Sequence, residues 1–521
     1  MNQPDTILVL DFGGQYTHLI ARRIRELSVY SEVLPFNVKL DRIKSFKPKG
    51  IILSGGPQSI YAQDSPKISS EFFAYCEENK IPVLGICYGL HHIAYSFAGK
   101  IDSLPKKEYG KRTLKILKKK PLLKGLNTTE TVWMSHGDQI TELPADFELI
   151  ASSETCPIAA FQNVNKQIYA VQFHVEVSHT PKGMQILKNF VYDICKCKQN
   201  WKMADFIQET ISKIREKVQN EKVIMAVSGG VDSTVAAILI EKAIGDRIFC
   251  IFVDNGLMRK NEVAEVKYRF QNILKFKHFF IEDASKLFLS RLKGITDPEE
   301  KRKIIAYTFI EVFEAKAEEL KKQYGEIKFL GQGTIAPDRI ESGVTSRTSA
   351  RIKSHHNVSL PEKMKLQVIE PLQLLYKDEV RKVGEQLGIP REFIERHPFP
   401  GPSLAIRIIG EVTEEKLRIV RESDAILIEE IKKAGIYNKV WQAFTGYLPI
   451  KSVGVMGDAR TYQNMVLIRI IESKDAMTAN FAKIDWDLLE HIASRIINEV
   501  PGVNRVVYDV SNKPPATVEL E

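Results

Sequence analysis

The sequence predicts an α/β protein, with two parallel-sheet α/β domains followed by a C-terminal α+β domain. Three observations carry that expectation. Apolar strand runs, glycine turns and amphipathic helices alternate from Thr6 onward. A second such alternation is centred on Ser228-Gly229-Gly230-Val231-Asp232-Ser233-Thr234. At His397-Pro398-Phe399-Pro400-Gly401-Pro402 no helix can continue, and the texture changes beyond it.

In the first region, Thr6–Gly14 reads as a strand followed by a glycine turn, and Thr17–Leu27 as an amphipathic helix. Val33–Pro35, Gly50–Ser54 and Ile81–Gly85 read as further strands of a parallel sheet. The polar, lysine-rich stretch Cys195–Trp201 reads as a linker. Asp205–Val218 is then a helix leading to the strand Lys222–Val227. Arg247–Val253 and Ile327–Leu330 supply strands, and Glu299–Gln323 a long helix. Ser342–Ser354 has no period and reads as a loop that closes over substrate. Past His397, Glu414–Ala434 is helical, and Ser452–Met456, Met465–Ile471 and Val503–Val510 are strand candidates. The expected domains are 1–197, 203–396 and 397–521.

With 521 residues, 44% hydrophobic and 27% charged, the chain has an ordinary globular composition. Its net charge of +9 comes with no aromatic interleaving, so the expectation is phosphorylated small molecules rather than nucleic acid. The six cysteines form no C-x-x-C pair. Sparse cysteine, no signal-like start and no membrane-length apolar run give the expectation of a cytoplasmic protein without membrane contact.

Two stretches carry chemistry. Ser228–Thr234 lies where a strand ends and a helix begins. Small residues and a helix N-terminus there favour an anion. The Gly-Lys-Ser/Thr ending of a Walker loop is missing, and Asp232 suits Mg²⁺ carried by phosphates. The motif resembles the SGGxDS pyrophosphate loop of the ATP pyrophosphatases, with their adenine nucleotide alpha-hydrolase-like fold. Upstream, Gly85-Ile86-Cys87-Tyr88-Gly89 sets a cysteine on a nucleophile elbow, and the helix that follows points its positive end at the thiol. In Phe173-His174-Val175-Glu176, strand alternation would put His174 and Glu176 on one face. Together these stretches resemble the class I glutamine amidotransferases. That resemblance implies Cys87 as nucleophile, His174 as proton shuttle and Glu176 as its orienter. The backbone N–H groups of Gly56 and Tyr88 would form the oxyanion hole.

Ammonia made at one site and an adenylate made at another convert a carbonyl oxygen to an amine. Six further stretches, in order, are similar to the GMP synthetase (glutamine-hydrolysing) family: Ile295–Lys303, Gly331–Ile335, Pro337–Ser342, Ile352–Val358, His397–Pro402 and Lys513–Thr517. The resemblance implies glutamine, ATP and XMP as substrates, Mg²⁺ with the ATP, no organic cofactor, and a homodimer. It implies ATP binding by Ser228, Gly229, Gly230, Val231, Asp232, Ser233 and Thr234, with Val253 and Gly333 flanking the adenine. A lid would carry Asp338, Glu341, Lys353, His355, His356 and Asn357. XMP would be held by Arg302, Asp458, Arg460, Gln463, Lys513 and Glu519. The chain departs from the family pattern at His91, where glutamine is usual, and at Ser403, where glycine is usual. Ala336 replaces an aromatic, and Val358-Ser359-Leu360 is one residue short.

Overall fold

The computed structural model describes residues 4–69, 71–336, 366–456, 458–473 and 479–521. The lid expectation (Asp338, Glu341, Lys353, His355, His356 and Asn357) lies outside the described residues, as do the whole loop Ser342–Ser354 and the shortened Val358–Leu360 stretch. The described chain divides into two compact units, one ending at Phe206 and one beginning at Ile207.

Unit 1 is built on a nine-stranded sheet. Its strands are β1 (Thr6–Asp11), β2 (Tyr30–Pro35), β3 (Gly50–Leu53), β4 (Val83–Ile86), β5 (Lys100–Ile116), β6 (Thr129–Glu142), β7 (Glu148–Ser153), β8 (Ala160–Asn163) and β9 (Ile168–Val171). They lie in the order β2-β1-β3-β4-β9-β8-β7-β5-β6. The first five are parallel, as expected. The other four are antiparallel, which corrects the expectation of a parallel sheet throughout. The physical reason is in β6. Its alternate residues Val132, Met134, His136, Asp138 and Ile140 are buried and the residues between them are not, the pattern of a sheet with one covered face. Central β1, β3 and β4 are buried on both faces, and Ile7, Leu8, Val9, Leu10, Ile51, Ile52 and Leu53 have no exposed surface.

Unit 2 carries two sheets. The first has β10 (Val223–Ala226), β11 (Ile248–Asp254), β12 (Phe279–Asp283), β13 (Phe329–Gly331) and β14 (Gln367–Ile369), all parallel, in the order β12-β11-β10-β13-β14. The order reverses between β10 and β13, and the crevice beyond the strand ends at such a point is where doubly wound sheets take ligands. The second sheet has β15 (Gln442–Met456), β16 (Ala459–Glu472), β17 (Asn480–Phe481) and β18 (Val503–Tyr508). β15 and β16 form a long antiparallel hairpin, and β18 runs parallel to β16. The helices Glu414–Lys433 and Trp486–Glu499 accompany it, the first capped by Thr413 and the second by Asp485. One buried cluster runs from Ile224, Phe249 and Leu330 to Leu417, Val466 and Ile496, so both sheets share a core.

Candidate active sites

The unit 1 site is assembled at the C-terminal ends of β3, β4 and β9. Cys87 sits between β4 and the helix Tyr88–Ser96 at φ +53, a conformation that L side chains rarely adopt and that lifts the thiol off the strand line. Glycines make the turn possible. A Cβ on Gly85 would lie 2.6 Å from the Gly89 carbonyl, and one on Gly89 would run into the Leu53 carbonyl oxygen. Gly55 forms the floor: a Cβ there would be 3.4 Å from His174 Cε1 and 3.8 Å from Cys87 Cβ. A Cβ on Gly56 would be 3.1 Å from Tyr88 Cγ, so the two expected oxyanion residues are neighbours.

His174 Nδ1 lies 2.6 Å from Glu176 Oε1, and both side chains are buried. They do not lie on a strand, as alternation suggested, because β9 ends at Val171. Other bonds hold the irregular segment. The His174 N–H donates to the Trp133 carbonyl at 3.0 Å, Thr180 Oγ1 donates to the His174 carbonyl at 2.6 Å, and Arg23 Nε donates to the Glu176 carbonyl at 3.0 Å. Burial alone would push the His174 pKa down. The Glu176 carboxylate and hydrogen bonds with Cys87 and Glu176 outweigh it, and the imidazole titrates well above its ordinary value. Such a histidine keeps a proton to give to a leaving amine. The Cys87 thiol also lies 3.5 Å from the Ser135 carbonyl.

Sequence reasoning singled out His91 but missed the rest of the polar wall beside this site. His91 is buried, with Nε2 2.8 Å from Gln172 Oε1, and burial lowers its pKa to about 4, so it is neutral at pH 7. His136 Nδ1 donates to the Asp138 carbonyl at 2.9 Å, and its Nε2 is 2.9 Å from Glu108 Oε2. Glu108 also accepts from Arg112 Nε at 2.9 Å. The available signal was weak: two polar residues at inward positions of an alternating strand.

In unit 2 the Ser228–Thr234 loop leaves β10 and opens the helix Val231–Ile244, with Gly230 at its N-cap. Gly229 has φ +74 and packs so tightly that a Cβ would be 2.5 Å from Val266 Cγ2. Thr234 Oγ1 donates to the Gly230 carbonyl at 2.8 Å, and the Ser228 and Ser233 hydroxyls are 3.2 Å apart. Gly333, after β13, presses on this loop: its Cβ would be 3.0 Å from the Ser233 nitrogen. The loop and Gly333 thus meet where the strand order reverses. Val253, at the end of β11, is buried in the core cluster. Lys377, which opens the helix Lys377–Gln386, pairs with Asp232 Oδ2. The cation absent from the motif therefore comes from 145 residues away. Asp232 Oδ1 is buried without a hydrogen-bond partner, and a carboxylate oxygen so placed fits a hard cation.

The residues expected to hold XMP fall into two groups. Arg302 donates from Nη1 to Glu299 Oε1 at 2.5 Å and from Nη2 to the Glu521 main-chain oxygen at 2.6 Å. Glu519 faces inward, forked on Arg407 at 2.9 and 3.1 Å and accepting from Gln442 Nε2 at 2.7 Å. Lys513 pairs its main chain with Ala479. Asp458 and Arg460 are exposed at the tip of the β15–β16 hairpin, with Gln463 further along β16. The Glu519 partner Gln442 starts this hairpin. At about 3.3 Å per residue, its 15-residue strand from Gln442 to Met456 spans roughly 45 Å. The tip and the Arg302 group therefore do not meet within one chain.

The class defined by these features is a class I glutamine amidotransferase joined to an ATP-pyrophosphatase-like nucleotide site. Comparison with family models agrees: glutamine amidotransferase class-I matches residues 8–194, NAD synthase residues 201–304, and the GMP synthase C-terminal domain residues 429–520. A GMP synthase (glutamine-hydrolyzing) of Brachyspira hyodysenteriae is 52% identical over 521 residues, covering 100% of both chains. Those of Caldanaerobacter subterraneus and Nitratiruptor are 53% and 54% identical, each covering 99% of this chain and 99% of the relative. The chain belongs to the GMP synthase (glutamine-hydrolyzing) family.

Proposed function

We propose that this chain converts XMP to GMP with glutamine as nitrogen donor, in the overall reaction ATP + XMP + glutamine + H₂O → AMP + PPi + GMP + glutamate. The observation that carries the reading is the presence, in one chain, of Cys87 beside the His174–Glu176 pair and of an intact Ser228–Thr234 loop. At the first, the Cys87 sulfur attacks the glutamine carboxamide carbon. His174 protonates the departing nitrogen, and ammonia leaves. Water then hydrolyses the thioester to glutamate. The N–H groups of Gly56 and Tyr88 face the oxyanion of both tetrahedral intermediates. At the second, the XMP carbonyl oxygen attacks the ATP α-phosphorus, the α–β anhydride breaks, and pyrophosphate leaves. Ammonia adds to the activated carbon and AMP departs. Backbone N–H groups of the loop, the Ser228, Ser233 and Thr234 hydroxyls and Lys377 hold the phosphates. Asp232 would hold Mg²⁺, which neutralises charge on the leaving pyrophosphate.

We assign glutamine hydrolysis to 1–197, adenylylation to 203–396, and XMP binding with dimerisation to 397–521. A homodimer is supported by the separation of Asp458 and Arg460 from Arg302, which a second subunit would bridge. It is also supported by the exposed Ile450, Val453, Val455 and Tyr462 on the hairpin. Among the described residues no helix is long and apolar enough to cross a membrane, and the reading places the enzyme in the cytoplasm.

The test mixes XMP, ATP and Mg²⁺ with glutamine or with ammonium and follows GMP, AMP and pyrophosphate. Cys87→Ala is expected to abolish the glutamine reaction and spare the ammonium reaction. Loss of both would overturn the division of labour.

A further inference from the structure

Arg302 lies in the first turns of the helix Pro298–Tyr324, whose N-cap is Asp297. Beside it, Lys301 is fully buried, and its ammonium donates to the Ile408 carbonyl at 2.8 Å and the Ala405 carbonyl at 3.4 Å. The Lys301 charge is met by one carboxylate, Glu521, through Oε2. Glu521 is itself anchored on all sides. Its Oε1 accepts from the Gly410 N–H at 3.0 Å, its N–H donates to the Ile406 carbonyl at 3.2 Å, and its side chain is only 7% exposed. Its main-chain oxygen accepts from Arg302 Nη2 at 2.6 Å, while Glu299 takes Nη1. The guanidinium is thus gripped at both terminal nitrogens before any ligand arrives. A guanidinium offers five N–H groups in a fixed plane, so those two bonds fix its orientation and leave donors over.

We propose that Glu521 is a positioning residue for nucleotide binding: its carboxylate, seated on Lys301 and Gly410, fixes the main-chain oxygen that orients Arg302 toward XMP. This rests on the reading that Arg302 binds XMP. The ammonium ion of Lys301 serves as the anchor and does not face the ligand. Two residues earlier, Glu519 uses Arg407 in the same manner, so the segment is pinned at two buried cations. An ordered guanidinium spares the ligand the cost of immobilising it, which is a binding effect and not a chemical one.

The experiment measures ammonium-dependent GMP formation in the full-length protein, varying XMP and ATP separately, with thermal unfolding alongside. Glu521→Ala is expected to raise KM for XMP about 5-fold, with KM for ATP unchanged and kcat within about 2-fold. Glu521→Gln, which keeps the acceptor for Gly410, is expected to recover part of that loss. An unchanged KM for XMP, or a rise in both KM values together with a fall in Tm, overturns the proposal. Should Glu521→Ala fail to fold because Lys301 is left unpaired, the pair Lys301→Met with Glu521→Ala removes the orphan charge and is read in the same way. Arg302→Ala separates the two ideas. If it leaves KM for XMP unchanged, Arg302 does not bind XMP. If it raises KM for XMP and Glu521→Ala does not, Arg302 binds XMP without help from Glu521.

Discussion

Ser403 holds φ +58 in a buried turn, a left-handed position where the resembled family has glycine. A side chain there costs about 1–2 kcal/mol relative to glycine. The structure shows what offsets that cost. Ser403 Oγ accepts from Asn255 Nδ2 at 3.2 Å, and the Ser403 N–H donates to the Pro400 carbonyl at 2.9 Å. Losing the side-chain bond leaves a buried amide donor unmet, at about 1–3 kcal/mol. Ser403→Gly therefore exchanges strain for a lost bond and should stay within about 1 kcal/mol of the parent. Ser403→Ala keeps the strain and loses the bond, so it should be less stable by about 1–3 kcal/mol. Urea unfolding checks the order, and an alanine variant as stable as the glycine variant would show that Asn255 is not what the serine serves. His91 is a departure of another kind. It is a buried neutral ring bonded to Gln172, which stands two residues before His174.

At the level of elements, what was legible depended on whether a signal was local. The elbow at Cys87 and the loop at Ser228 are contiguous patterns at a strand–helix junction, and both form as expected. The pairing of His174 with Glu176 was legible as well, although through an irregular segment and not a strand. The antiparallel strands β5 to β8 were not legible. Alternation in β6 is masked because His136 and Asp138 occupy inward positions, where an apolar residue would have shown the period. Lys377 was invisible for a different reason. It stands at the start of a helix whose position beside the loop is set by sheet order, not by sequence distance. Its pairing with Asp232 puts one cation at the phosphate loop, and a charge-assisted contact is worth about 1.5–3 kcal/mol. Lys377→Ala is thus expected to raise KM for ATP about 10-fold or more in the ammonium reaction. An unchanged KM for ATP would mean that the lysine only neutralises Asp232.

On the scale of the whole molecule, the hairpin and the buried histidines each make a prediction. Val453 and Tyr462 are cross-strand partners and both are exposed, so a charge placed there would face a second subunit docked on the hairpin, as the proposed homodimer requires. Val453→Glu with Tyr462→Asp should convert a dimer to monomers by analytical ultracentrifugation and weaken XMP use, while leaving ammonia release from glutamine intact. A dimer that survives both charges would place the interface elsewhere. Acid stability follows from His91 and His92 in unit 1 and His397 in unit 2, each pushed down to about 4, chiefly by burial. The folded protein leaves these rings neutral, whereas the unfolded chain protonates them below about pH 6.5. The stability they represent is therefore complete above pH 6.5 and is lost as pH falls toward 4, by up to about 3 kcal/mol for each ring. His174 acts with the opposite sign. Its raised pKa means that the folded state already holds that proton, so its contribution is complete below pH 6.5 and lost only on the alkaline side. In the window from 6.5 to 4 it is constant and cannot mask the other three. Local bonding fits a neutral ring at His92, since its Nε2 accepts from the Ile68 N–H at 2.9 Å and cannot do so once protonated. Calorimetry between pH 7 and 4 should show the unfolding temperature falling steeply. The double variant His91→Gln with His92→Gln should flatten that fall by close to two protons, and a slope unchanged by it would mean that these rings are protonated in the folded chain.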